Sequence, residues 1–168
     1  MPQDIFEYKY SKFIEPLYGK KRSELQDIDL LKSNVIPHNY SIHKNERIDL
    51  THLDTYTIDP EGCSDADDAF SVYNDDGKIY LAIYIADPTE YINIQSELWN
   101  NIQKTGVTRY PSNRKPIHML PEKIVQKSSL MDNDYGNIKL AISLIFEIDD
   151  NTFLPHNEIN LYFTKVSV

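Results

Sequence analysis

The chain has 168 residues, enough for one well-packed domain and short for two. Hydrophobic residues make up 40% and charged residues 26%, with 12 Tyr and 6 Phe, so there is apolar surface for a core and large rings that suit strands. A net charge of −9 argues against a protein that holds nucleic acid through a broad basic surface, and the single cysteine, Cys63, excludes an internal disulfide or a cysteine zinc cluster.

The N-terminal run Met1 to Phe13 lacks the apolar stretch of a signal peptide, and no window is apolar enough for a membrane span. A soluble, cytoplasmic protein with no membrane partner is therefore expected. Lys20-Lys21-Arg22 is a small basic cluster, read as a solvated face. Ser23-x-x-Gln26 resembles a capping box that opens a short helix through Leu31.

From Thr55 the pattern becomes strand-like. Ala69–Asn74 and Ile79–Ile85 alternate, the second placing Ile79, Leu81, Ile83 and Ile85 on one face. Between them, Asp75-Asp76-Gly77-Lys78 is a hairpin signal, because glycine accepts the positive φ of a tight turn. Ser96–Thr105 reads as a helix with Ser96 as its cap, Leu98 and Ile102 inward, and Gly106 as its stop. A proline-punctuated loop runs from Tyr110 to Pro121. Ile138–Ile148 alternates through Leu140, Ile142, Leu144 and Phe146, and Asp149-Asp150-Asn151 turns the chain into a last strand, Ile159–Val166. Strands joined by hairpins, with a few helices on one side, predict an α+β fold with a mostly antiparallel sheet.

The chemistry is concentrated between Asp59 and Asp68. Asp59, Asp65, Asp67 and Asp68 fall at a strand end and in the loop that follows, and Pro60 and Gly62 bend the chain so that Asp59 faces the later three. Short acidic side chains gathered at one point repel each other, an arrangement that a hard cation relieves. Magnesium takes oxygen ligands and keeps some waters, so two or three carboxylates with substrate phosphate oxygens complete its shell. A calcium EF-hand loop does not match, since Ala69 and Phe70 stand where that pattern needs an Asp or Asn and a Gly. By spacing alone, a metal site and a solvated acidic turn both remain open. Asp75 and Asp76 belong to the hairpin tip. None of the five His residues sits in a ligand pair or beside a nucleophile, and His118 reads as a packing residue.

Taken together, Arg47-Ile48-Asp49-Leu50, Tyr56-Thr57-Ile58-Asp59-Pro60 and Asp65-Ala66-Asp67-Asp68-Ala69 resemble the opening signature of the RNB catalytic domain of ribonuclease II and ribonuclease R. Further segments follow in the family's order: Leu81 to Asp87, Gly106 to Pro111, Met119-Leu120-Pro121-Glu122, Ser128-Ser129-Leu130 and Lys139 to Ser143. The resemblance divides the chain into an N-terminal extension, 1–46, helical or irregular, and the front portion of an RNB domain, 47–168, truncated at its C-terminus.

The resemblance implies a magnesium-dependent hydrolytic exoribonuclease, with manganese as the alternative ion, that digests single-stranded RNA from the 3′ end and releases nucleoside 5′-monophosphates. It implies Asp59 and Asp68 as direct metal ligands and Asp67 as a ligand or as activator of the attacking water. Asp65 completes the catalytic cluster or positions water. Tyr110 matches the family tyrosine that stacks on the RNA 3′ end, where stacking contributes roughly 1–3 kcal/mol per base. Arg109, and Arg114 and Lys115 beyond it, are phosphate-contact candidates that the family motif does not fix. Cys63 occupies a variable position and needs only to be small.

One departure stands out. The family's later half carries a His-Phe-Thr-Ser-Pro-Ile-Arg-Arg-Tyr run whose arginine grips the phosphate, and this chain has no arginine after Arg114. Loss of such a donor costs roughly a hundredfold or more in rate. A non-catalytic RNA-binding or assembly protein that retains a partial RNB core is accordingly the second reading.

Overall fold

Side chains alternate across a strand, so segments of period-two hydrophobicity pair into sheets. A computed structural model of the chain describes residues 27–36, 46–110, 118–156 and 158–168. Five strands appear there: β1 (Ile48–Asp49), β2 (Asp68–Asp75), β3 (Lys78–Ala86), β4 (Ile138–Ile148) and β5 (Asn160–Ser167). They form one mixed sheet in the order β1-β5-β4-β3-β2, antiparallel throughout except where β1 lies parallel to β5. With helices α1 (Asp27–Ser33), α2 (Glu97–Thr105) and α3 (Glu122–Ser128), the architecture is α+β, as expected. The Ser23–Gln26 capping box, the Lys20–Arg22 cluster, Arg114 and Lys115 lie outside the described residues. No helix among the described residues is long and apolar enough to cross a membrane.

The chain separates into two compact units, each built from two stretches of sequence. One comprises the described parts of Met1–Tyr40 and Tyr91–Ile124, the other those of Ser41–Glu90 and Val125–Val168. Strand pairing is the reason for the second unit: β1 pairs with β5 and β3 with β4, in each case with a strand more than fifty residues later.

In the first unit, α2 begins as its sequence dictates. The Ser96 hydroxyl accepts the N–H of Trp99 at 3.1 Å, and Gly106, at φ 71°, donates its N–H to Ile102 O in the left-handed cap. Leu98 and Ile102 are buried on its inner side. Asn34, just after α1, ties the two helices' approaches together: its Nδ2 donates to Tyr91 O at 2.6 Å and its Oδ1 accepts Asn93 N–H at 2.7 Å.

In the second unit, β2 and β3 join through Asp76 and Gly77, both at positive φ (49° and 76°), the backbone of a type I′ hairpin turn. The register then assigns the faces. Ala69, Ser71, Ala82, Tyr84, Ala141, Ser143, Thr164 and Val166 share the buried face, where Leu50, Ala66 and Leu130 pack against them. The bulky residues that alternate in the sequence, among them Ile83, Ile85, Ile142, Leu144 and Phe163, share the opposite face, and none of these is fully buried. Small side chains on one face admit a close layer of loop residues; the isoleucine face carries the larger surface but not this core.

Arg47, immediately before β1, is the polar centre of this unit. Its Nη2 lies 2.6 Å from Asp87 Oδ2 and 3.1 Å from Glu90 Oε1, with Arg47 and Asp87 side chains 2% and 0% exposed. Nη1 donates to Ala141 O and Thr164 O, and the guanidinium sits 5.5 Å from the centroid of the Phe163 ring. Asp87 Oδ1 in turn accepts the N–H and hydroxyl of Thr89. Arginine's planar fork suits such a site, because both terminal nitrogens find acceptors and its face meets a ring, while the buried Nε has no hydrogen-bond partner among the described residues.

Candidate active site: the aspartate loop

Tyr56 and Phe70 exchange both backbone hydrogen bonds at 2.9 Å, which closes the loop carrying the acidic residues. Within it, Pro60-Glu61-Gly62-Cys63 forms a reversing turn: Cys63 N–H donates to Pro60 O at 3.1 Å, and Gly62 takes φ 83° at the position where such a turn demands it. The returning chain brings Cys63 between two acidic residues. Its thiol donates to Asp65 O at 2.8 Å and lies 3.7 Å from Asp59 Oδ1. Cys63 is thus a bridge across the turn and more than a small side chain.

The next residues are held one by one. Ala66, fully buried, donates its N–H to Ser129 Oγ at 3.0 Å and accepts Leu130 N–H at 2.8 Å. Asp67 O accepts Ala86 N–H at 2.8 Å, and Asp68 enters β2 opposite Ile85. Burying Ala66 turns its neighbours Asp65 and Asp67 outward; Asp65 is half-buried, and Asp59, Asp67 and Asp68 are exposed.

The electrostatics fall on Asp67. Its carboxyl is pushed above the ordinary aspartate range, first by the protein that displaces water around it and then by the charges of Asp65, Asp68 and Asp59. The other three predicted residues therefore all act on Asp67. By donor chemistry they fit a hard divalent cation, which prefers carboxylate oxygens. Their placement is open: among the described residues, no three His, Cys, Asp or Glu side chains converge as metal ligands.

Tyr110 and Arg109 belong to the other unit. Tyr110 is 75% exposed, with its ring available to solvent, whereas the half-buried Arg109 donates from Nη2 to Thr105 O at 3.3 Å and so serves the end of α2. Three features escaped the sequence reading: the Arg47–Asp87 pair, the Cys63 bridge and the Ser129–Leu130 grip on Ala66. The first and third join residues that the sequence shows as separate motifs, brought together only by the fold, whereas the Cys63 bridge is local to the turn.

A mixed sheet with an acidic loop feeding its edge strand defines the class of the fold, and comparison with known proteins agrees. The model of the RNB domain matches residues 47–162, so the chain belongs to the RNB family of ribonucleases. Exoribonuclease 2 of Vibrio vulnificus is 42% identical over 99 residues, which are 58% of this chain and 14% of that protein. Among solved structures, Mycoplasma genitalium RNase R in complex with ribose methylated single-stranded RNA aligns with a TM-score of 0.67 at 24% identity, over 85% of this chain and 22% of that one. Yeast Ssd1, described as a pseudonuclease, shares the fold with a TM-score of 0.65 at 18% identity, over 81% of this chain and 16% of its own. The chain thus spans under a quarter of the length of each of these proteins.

Proposed function

We propose that this chain supplies the acidic part of a magnesium-dependent, hydrolytic exoribonuclease site, acting on single-stranded RNA from the 3′ end and releasing nucleoside 5′-monophosphates. The observation that carries the reading is the loop from Asp59 to Asp68, in which three carboxylates act on the fourth within an RNB sequence. Asp59, Asp67 and Asp68 would hold the ion, with Asp65 completing the cluster. A bound magnesium or manganese ion supplies a lowered pKa for water and neutralises charge that develops on a phosphate. The chain's own part is to present the oxygens: the turn at Gly62 brings Asp59 back, buried Ala66 directs its two neighbours outward, and β2 fixes Asp68. The exposed Tyr110 ring offers a stacking surface for a terminal base. RNA binding by relatives such as the RNase R complex supports the substrate class.

The test is digestion of 3′-extended, labelled single-stranded RNA by the protein in magnesium, with mononucleotide products resolved by chromatography. Asp67→Asn is expected to lower the rate by about a hundredfold or more, an effect on the scale of a lost electrostatic contributor. Unchanged digestion by that variant would remove Asp67 from the site. The second reading, an RNA-binding or assembly protein without cleavage, draws on the open placement of the carboxylates among the described residues. RNA binding that is insensitive to chelators and yields no mononucleotides would select it.

A further inference from the structure

Four aspartates and Glu61 within ten residues drive one another apart, so something other than the carboxylates must hold the loop in shape. The backbone at Ala66 meets that need. Both of its polar groups are committed to one neighbouring segment, the N–H to Ser129 Oγ at 3.0 Å and the carbonyl to Leu130 N–H at 2.8 Å. Ala66 and Leu130 are 0% exposed and Ser129 is 2% exposed, so water cannot substitute for either bond. The segment is anchored in turn: Ser129 N–H donates to Val125 O at 2.8 Å, Asn133 Nδ2 to Gln126 O at 2.8 Å, and the buried Lys139 ammonium to Asn133 Oδ1 at 3.0 Å.

We propose that Ser129 is a positioning residue for the acidic site: its hydroxyl, together with Leu130 N–H, clamps Ala66 so that Asp65 and Asp67 project from a fixed backbone toward a divalent ion. The inference rests on the metal-dependent reading given above. Serine suits the role because its oxygen satisfies a buried N–H without adding charge beside four carboxylates. Alanine at 129 would strand that N–H, and the loop would relax under its own repulsion.

Manganese(II) is the probe, titrated into the full 168-residue chain and followed by electron paramagnetic resonance, with amide hydrogen exchange measured in parallel. Ser129→Ala is expected to weaken manganese binding by about tenfold or more, as loss of an outer partner of a ligand loop does, and to speed exchange at residues 64–68. Thr164→Val, which removes the buried 2.6 Å hydroxyl pair with Ser143 elsewhere in the sheet, is the control. It is expected to lower the unfolding midpoint while leaving manganese affinity within about twofold. Should Ser129→Ala fail to fold, Ser129→Cys, nearly isosteric with a weaker acceptor, carries the same comparison. A folded Ser129 variant that binds manganese like the unaltered chain overturns the proposal, as does a loss no greater than that of the control. If the unaltered chain binds no manganese, the metal reading falls on its own account. The clamp is then judged by exchange: acceleration confined to the loop upholds it, and unchanged exchange overturns it.

Discussion

Replacing Asp87 with alanine removes one half of a buried ion pair and leaves the Arg47 guanidinium in a site 2% exposed. Breaking such a pair typically costs about 3–5 kcal/mol, because a buried charge loses its counter-charge. Glu90 Oε1 remains 3.1 Å from the same guanidinium, and two carbonyls still accept from it. These partners place the expected loss near the lower end, about 3 kcal/mol. Against a total stability of roughly 5–15 kcal/mol this is a large share. With a urea slope of about 1–3 kcal/mol per molar, the unfolding midpoint should fall by roughly 1–3 M. Far-ultraviolet circular dichroism during urea unfolding reads this, since the pair lies in the sheet-bearing unit. Arg47→Met in the Asp87→Ala background is expected to recover part of the loss by removing the stranded charge. A loss below about 0.5 kcal/mol for Asp87→Ala would refute the reasoning, for that is the scale of an ordinary surface substitution.

Other outcomes follow from the same geometry. Asp67 is held above its ordinary value of 3.8, chiefly by loss of water and then by its acidic neighbours, so its contribution to stability is present below that value and lost as pH rises through the raised one. In chelator, Asp67→Asn is therefore expected to melt higher than the unaltered chain at pH 7, with little difference at acid pH; an equal gain at both would count against the repulsion. Addition of magnesium should raise the melting temperature of the unaltered chain and leave that of Asp67→Asn nearly unchanged, since only a bound ion stabilises by mass action. Leu130→Ala deletes a fully buried side chain of the core and should cost about 2–5 kcal/mol in urea unfolding. Gly77→Ala places a Cβ at φ 76° in the hairpin turn and should cost about 1–2 kcal/mol, measured the same way.

Much of the local structure was legible in the residues. Ser96 and Gly106 bounded α2 because capping depends on neighbours a few positions away, and Asp76-Gly77 announced its turn through backbone sterics alone. The acidic loop was legible too, since four aspartates in ten residues are costly wherever they fold. Strand alternation gave the faces of β3 and β4 but not which face is packed. The isoleucines lie on the other face, whereas the core formed around Tyr84 with Ala82, Ala141 and Ser143 beside it, small residues that let Leu50, Ala66 and Leu130 approach.

By itself the sequence determined the four longer strands, α2, the family and the identity of the acidic residues, all properties carried by short stretches of chain, whereas the short β1 and α3 emerged only in the structure. Only the tertiary structure decided what surrounds them: Asp87 beside Arg47 forty residues earlier, and Ser129 beneath Ala66 sixty-three residues earlier. The physical reason is that burial and hydrogen-bond partnership are properties of places in the fold, and the pairing of distant strands, not adjacency along the chain, creates those places.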